Sequence, residues 1–146
     1  MINISNIVFD TVYNQTIQQY PSANITAGYD EKKAVYPTVV IREVGNLPYQ
    51  SGNTDNCAEN YSRVTFEVEV VSDKKDIARS ECDEILDFVD GVMQGMKFRR
   101  THMNRALNVD RTVYRKYARY EAIVGKPVVY NAGTQNEKTV YQMYRR

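Results

Sequence analysis

The sequence predicts an α+β fold: a mostly antiparallel sheet of about four strands flanked by two helices, with a C-terminal hairpin extension. Three observations carry this. Segments 3–20 and 73–94 repeat apolar residues at helical spacing, whereas 61–71 and 111–124 alternate apolar and polar residues with period two. The order helix, strands, helix, strands then lets one sheet bury a face under both helices.

In the first helix, Phe9, Val12, Tyr13, Ile17 and Tyr20 form the apolar stripe, while Ile7 and Val8 fall on another side. Ser5 is placed to cap its start, and Pro21 ends it. Residues 23–29 read as a short strand, and Asp30-Glu31-Lys32-Lys33 as a polar turn. Thr38–Val44 is β-branched, entered from Pro37 and left at Gly45. Its unbroken apolar run predicts a central strand buried on both faces. Residues 45–60 (GNLPYQSGNTDNCAEN) read as a long polar loop.

The strand over 61–71 turns Val64, Phe66, Val68 and Val70 to one side and Thr65, Glu67 and Glu69 to the other, which predicts a half-buried strand. The second helix carries Ile77, Cys82, Ile85, Leu86, Val89, Val92 and Met93 on one stripe. Ser72 or Asp73 is placed to cap it, and Gly95 to follow its C-terminus. Its acidic residues Glu81, Asp83, Glu84, Asp87 and Asp90 are expected mostly on the solvated or partner-facing side. In 111–124, Tyr114, Ala118, Tyr120, Ala122 and Val124 share one face and Arg115, Arg119 and Glu121 the other, with Lys116 breaking the apolar side. Residues 127–131 and 139–144 are expected to pair as a hairpin around Ala132-Gly133. The organisation expected is a domain over 1–125 and an extension over 126–146 that is a hairpin or partner-binding arm.

Composition narrows the function. The chain has 146 residues, 42% hydrophobic and 25% charged, which fits one domain and excludes a disordered or low-complexity chain. No apolar run approaches the ~18 residues of a membrane span, so no membrane partner is expected. The start MINISNIVFD lacks the basic and apolar regions of a secretory signal, and two cysteines, Cys57 and Cys82, are too few for a disulfide framework. The Asn-x-Ser/Thr triplets at Asn14, Asn24 and Asn60 are therefore read as chance matches. Twelve Tyr against no Trp point towards protein partners.

Catalytic motifs are missing. One histidine, His102, stands without a GxSxG nucleophile elbow, and no Walker sequence or GxGxxG occurs. Two isolated cysteines and one histidine lack the ligand-pair spacing of zinc. Gly91 and Gly95 form GxxxG, which in so polar a chain signals no membrane helix. The expectation is a protein that is not an enzyme and holds no metal or cofactor.

Charge is distributed unevenly. Residues 97–119 contain eight Lys and Arg (Lys97, Arg99, Arg100, Arg105, Arg111, Arg115, Lys116 and Arg119) against Asp110, a local +7. The rest of the chain holds 11 basic and 17 acidic residues, so the net +1 hides two fields of opposite sign. Such a segment suits nucleic-acid phosphates. It equally suits the acidic surface of a second copy, which would place Arg99, Arg100, Arg111, Arg115 and Arg119 against Glu81, Glu84 and Asp87.

Three stretches together resemble a known family: YPTVVIREVGN (Tyr36–Asn46), VTFEVEVVSDKK from Val64, and ECDEILDFVDGVMQGMKFRRTHMNRALNVDRTVYRKYARYEAIVG from Glu81. They are similar to tail terminator (tail completion) proteins of tailed bacteriophages and of prophage-derived tail particles of Gram-positive bacteria. The likeness covers residues 5–125, and its most specific piece is the acidic helix followed by GMKFRRTHMN and RTVYRKYARYEAIV. It implies a helix-flanked sheet and a homo-oligomeric, hexameric ring in the virion tail or tail-like particle, assembled in the bacterial cytoplasm. The ring would cap the tail tube protein, end tube elongation and join a connector or collar protein, with a tail sheath as a further partner and DNA passing through the lumen. The long 45–60 loop and the 126–146 extension depart from the family's compact pattern. In the extension, Tyr130, Tyr141 and Tyr144 are the candidate partner contacts. A head–tail connector subunit, or a nucleic-acid-binding module built on 97–119, are the alternatives.

Overall fold

The computed structural model describes residues 1–28, 36–49, 61–106 and 113–125 in full, and residues 128–131, 137–140 and 143–144 by their backbone. The fold is α+β, with a mostly antiparallel mixed sheet and two helices. The elements are α1 (Ser5–Gln19), β1 (Asn24–Thr26), β2 (Thr38–Pro48), β3 (Tyr61–Ser72), α2 (Ala78–Gly95), β4 (Arg99–Arg105), β5 (Tyr114–Gly125), β6 (Val128–Asn131), β7 (Glu137–Val140) and β8 (Met143–Tyr144). The five main strands lie in the order β1-β2-β3-β5-β4. Only β1 and β2 run parallel; the other neighbours are antiparallel. The polar turn expected at 30–33 and the loop at 50–60 lie outside the described residues.

Strand β3 is the axis of the molecule, pairing with β2 along one side and with β5 along the other. Its inward residues Val64, Phe66, Val68 and Val70 meet Val39 and Ile41 of β2, Ala118, Tyr120, Ala122 and Val124 of β5, and the apolar stripe of α2 in one core. Phe66 stands edge-on to Phe98, with ring centroids 5.6 Å apart. The Cys82 thiol fits between the carbonyls of Val70 and Tyr114, 3.6 Å from each. Burial, then the neighbouring Glu81 and Asp83, push its pKa up to about 12, so it stays a neutral thiol.

The structure corrects several sequence-based boundaries. Strand β2 does not leave the sheet at Gly45. It runs to Pro48, with an irregularity between Glu43 and Gly45 that lets Val44 drop out of the ladder. In α1 the buried stripe is Val8, Val12 and Thr16, with Ile2 and Ile4 ahead of it, rather than Phe9 and Tyr13. Small β-branched residues face the sheet, while Phe9, Ile17 and Tyr20 flank the core and Tyr13 is exposed. Tyr20 reaches Phe88 of α2 edge-on at 5.6 Å. Ser5 caps nothing: its hydroxyl donates to the Glu43 carboxylate.

Helix α2 starts at Ala78 rather than at 73, because Ser72 belongs to the β3 ladder, opposite Tyr114. The Ser72 hydroxyl instead accepts the Lys74 amide at 3.3 Å, and Ile77 is half exposed. At the other end, Gly95 is the last helical residue and the left-handed position falls on Lys97 (φ 67°). The Phe98 amide bonds the Met93 carbonyl and the Lys97 amide that of Gln94, the double closure of a Schellman motif. Met93 and Phe98 are both fully buried, supplying the apolar contact that accompanies it.

Strand β4 was not expected, since RRTHMNR lacks an alternating apolar face. It forms because β5 has a free edge for it, from Arg99 opposite Glu121 to Arg105 opposite Lys116. The expected C-terminal hairpin is present as β6 against β7, but residues 143–144 leave it and pair with Ile123 and Val124 of β5. The Ala132-Gly133 turn lies outside the described residues.

Candidate interaction surfaces

The two faces of the sheet carry different charged assemblies. On the helix side, Asp90 sits within the apolar stripe of α2, four residues after Leu86 and three before Met93, and is nearly buried. Its Oδ1 accepts the Tyr120 hydroxyl at 2.9 Å and Arg100 Nη1 at 3.1 Å, and its Oδ2 accepts Gln94 Nε2 at 2.6 Å. Burial, then the Asp90 charge, raise the Tyr120 pKa, so the phenol stays a neutral donor. This network ties α2 to both β4 and β5. The expectation that most of the α2 acids face solvent does not extend to Asp90, whose spacing from Leu86 and Met93 signals burial.

The outer face holds the second assembly. Glu67 of β3 lies between Arg42 of β2 and Arg119 of β5, its neighbours across the ladder. Arg42 contacts one carboxylate oxygen, and Arg119 Nε donates to the other at 2.9 Å. Burial opposes ionisation of Glu67, but the hydrogen bonds from Arg42 and Arg119 outweigh it and hold the carboxyl below its ordinary range. Arg115 approaches Glu69 at 3.7 Å, and Arg63 approaches Glu121 at 3.5 Å. Glu67 and Glu69 are each 6% exposed, so from Phe66 to Ser72 β3 is buried on both faces, while Tyr61, Arg63 and Thr65 keep the expected half-buried alternation. Val40, Val71 and Ile123, on the same outer face, are also buried. The sequence reading missed Arg42, Glu67 and Glu69 as a set. Two glutamates alternating with valines signalled one strand face, but only the register shows that arginines flank them.

The residues proposed from sequence do not form one site. Arg115 and Arg119 occupy the outer face, while Arg100 turns to the helix side and Asp90. Arg99 is exposed on β4 and makes no ion pair among the described residues. Glu81 pairs with Lys74 at 3.1 Å, Glu84 accepts the Tyr20 hydroxyl at 3.3 Å, and Asp87 is exposed on α2. Burial, then Glu84, raise the Tyr20 pKa. Arg111 and Tyr141 lie outside the described residues; Tyr130 and Tyr144 are placed by backbone only, in β6 and in β8 opposite Ile123.

The charge division also closes in part within one chain. Arg100, Arg115, Lys116 and Arg119 each pair with an acid from outside the basic segment: Asp90, Glu69, Asp83 and Glu67. Opposite charge between segments therefore no longer argues by itself for contact between copies, and it leaves fewer cations free for phosphates.

Between α2 and the β4–β5 edge, Asp83, Asp87, Arg100, Met103 and Lys116 border an open groove of about 430 Å³. His102 is exposed on β4, its Nε2 3.2 Å from the Tyr117 hydroxyl. No group of three or more metal-ligating side chains occurs among the described residues. None of their helices is long and apolar enough to cross a membrane.

The sheet ends at β1 on one side and at β4 on the other, and β4 has no partner on its outer side among the described residues. Beyond β5, the β5–β8 ladder (Ile123 to Tyr144, Val124 to Met143) and the β6–β7 ladder (Val128 to Val140) follow one another with a register offset of one residue. β8 is joined to the sheet through β5, whereas β6 and β7 are paired, among the described residues, only with each other. Compared with known proteins, the chain matches no family model, and no curated protein matches it significantly.

Proposed function

We propose that this chain is a structural ring subunit that caps the head-proximal end of a phage or phage-like tail tube. The cap stops addition of tube subunits and presents a joining surface to a connector or collar. One observation carries the reading: the run that resembles tail terminators, from the acidic helix through GMKFRRTHMN to RTVYRKYARYEAIV, is the connected unit α2–β4–β5. The other two similar stretches coincide with β2 and β3, so the likeness follows the central sheet rather than scattered surface loops.

A tube grows by repeated head-to-tail contacts that do not close by themselves. A terminator needs one surface that copies a tube contact and another that rejects the next subunit. It needs no reacting group. It does need rigid strands that hold edges and arginine-rich surfaces in place, and this fold supplies both.

The test is twofold. Mass measurement of the purified chain, free and on tubes, is expected to give a closed oligomer. Labelled protein is expected as a single band at the head-proximal end of the tail. A strict monomer on tubes of unregulated length would sink the reading.

A further inference from the structure

We propose that β6 of one copy adds as a strand to the open edge of β4 in the next copy, so that the ring closes through sheets continued from subunit to subunit. This rests on the ring reading and names the contact that would build it.

The argument starts from what each partner lacks. An edge strand presents a row of unpaired backbone N–H and C=O groups, a template for another strand. β4 offers seven residues of such an edge, from Arg99 to Arg105. The β6–β7 pair has four residues per strand and no third strand among the described residues. A two-stranded hairpin alone is marginal in water, because it has too little surface to bury against the entropy of ordering it. In sequence the β6–β7 pair lies between β5 and β8, which pair with each other, so both its ends are tied to the sheet while its own ladder is separate from it. Strand addition supplies its missing ladder and covers the β4 edge in one step.

Charge selects β6 rather than a second β4. β4 contains Arg99, Arg100, His102 and Arg105 and no acid. Two copies paired antiparallel about His102 would set Arg99 directly opposite Arg105, and like charges facing each other across a ladder are destabilising. β6 reads Val-Val-Tyr-Asn: uncharged, β-branched and aromatic, a composition that favours strands. An edge on one part of the chain meeting a different part of the next copy is a heterologous contact, the kind that closes into rings when the rotation permits.

Hydrogen exchange on the intact chain tests this directly. In the assembled protein, amides of 99–105 are expected to exchange at least ~10-fold more slowly than in the same protein dispersed by dilution or salt. Replacing residues 128–140 by Gly-Ser-Gly, which leaves β8 in place, is expected to abolish the oligomer while circular dichroism stays native. A ring whose β4 amides exchange as fast as those of the dispersed chain overturns this contact and leaves the ring reading standing. So does a ring that persists with β4 protected in the replacement variant. A full-length chain that never assembles, alone or on tubes, removes both. If the replacement variant fails to fold, exchange in the intact chain decides alone.

Discussion

Over Phe66–Ser72 the two faces of β3 are almost equally hidden from water, yet opposite physics hides them. Towards the helices, Val64, Phe66, Val68 and Val70 share one core with apolar side chains from α1, α2, β1, β2 and β5. Away from them, Glu67 and Glu69 are covered by neighbouring arginines whose own side chains stay roughly 40–50% exposed. Apolar burial is non-directional and scales with area. Burial under arginine works because the guanidinium lies flat, pairs with the carboxylate and keeps its outer side wet. The first face can only be lost by opening the core. The second can be rearranged by a partner that offers its own charges, which makes it the adaptable side of the molecule.

Substitutions can break or sharpen that contrast. The largest effect is expected on the packed side. Phe66→Ala removes a fully buried ring and its edge-on contact with Phe98, and should cost about 3–5 kcal/mol in denaturant unfolding. A loss below about 1 kcal/mol would mean that the core is looser than its packing implies.

Asp90→Ala comes next. It strands the buried Tyr120 hydroxyl and frees Arg100, for about 2–3 kcal/mol. Because the two groups share one network, adding Tyr120→Phe should recover part of that loss rather than add to it. Simple additivity would show that the hydrogen bond contributes little.

The outer face should respond less and depend on pH. Glu67→Gln is expected to cost about 1–2 kcal/mol near pH 7, since the half-exposed Arg42 and Arg119 are rehydrated when released. The folded pKa of Glu67 is depressed, so its stabilisation is complete above the carboxylate range of the unfolded chain (about 4.3) and is lost as pH falls through the lower folded value. Wild type and variant should therefore converge in strong acid, as read from paired denaturation curves. A difference that is flat with pH would remove Glu67's charge from the account.

The smallest effect is expected at Lys116, which bridges to Asp83 at 2.7 Å on the rim of the helix layer. Asp83→Asn should change stability by less than about 0.5 kcal/mol and fade further in salt, as partly exposed pairs do.

How much was legible follows from the same physics. The alternation in β3 and β5 and the stripe of α2 could be read directly, because each buries one periodic face against apolar matter. Strand β4 could not, since RRTHMNR gains its structure from the free edge of β5 and not from its own pattern. The start of α2 was misplaced because two structures compete for Ser72, and the β3–β5 ladder wins. Of the candidate interface residues, Arg115 and Arg119 were assigned to the correct strand face, but their partners Glu69 and Glu67 were not recognised. Ion pairs between strands depend on register, which no single segment contains.

The local sequence alone determined the α+β class, the two helices, the alternating strands and the pairing of the C-terminal segments, because periodicity and strand propensity are short-range. Only the tertiary structure decided where the charges go. The basic run 97–119 is divided between two faces, and four of its eight cations pair with acids from α2 and β3, because ladder register and helix docking bring together residues 10 to 52 positions apart. It also decided that, among the described residues, β4 ends the sheet with an open edge and β6–β7 forms a ladder of its own, since which edges stay open is a property of the whole strand order.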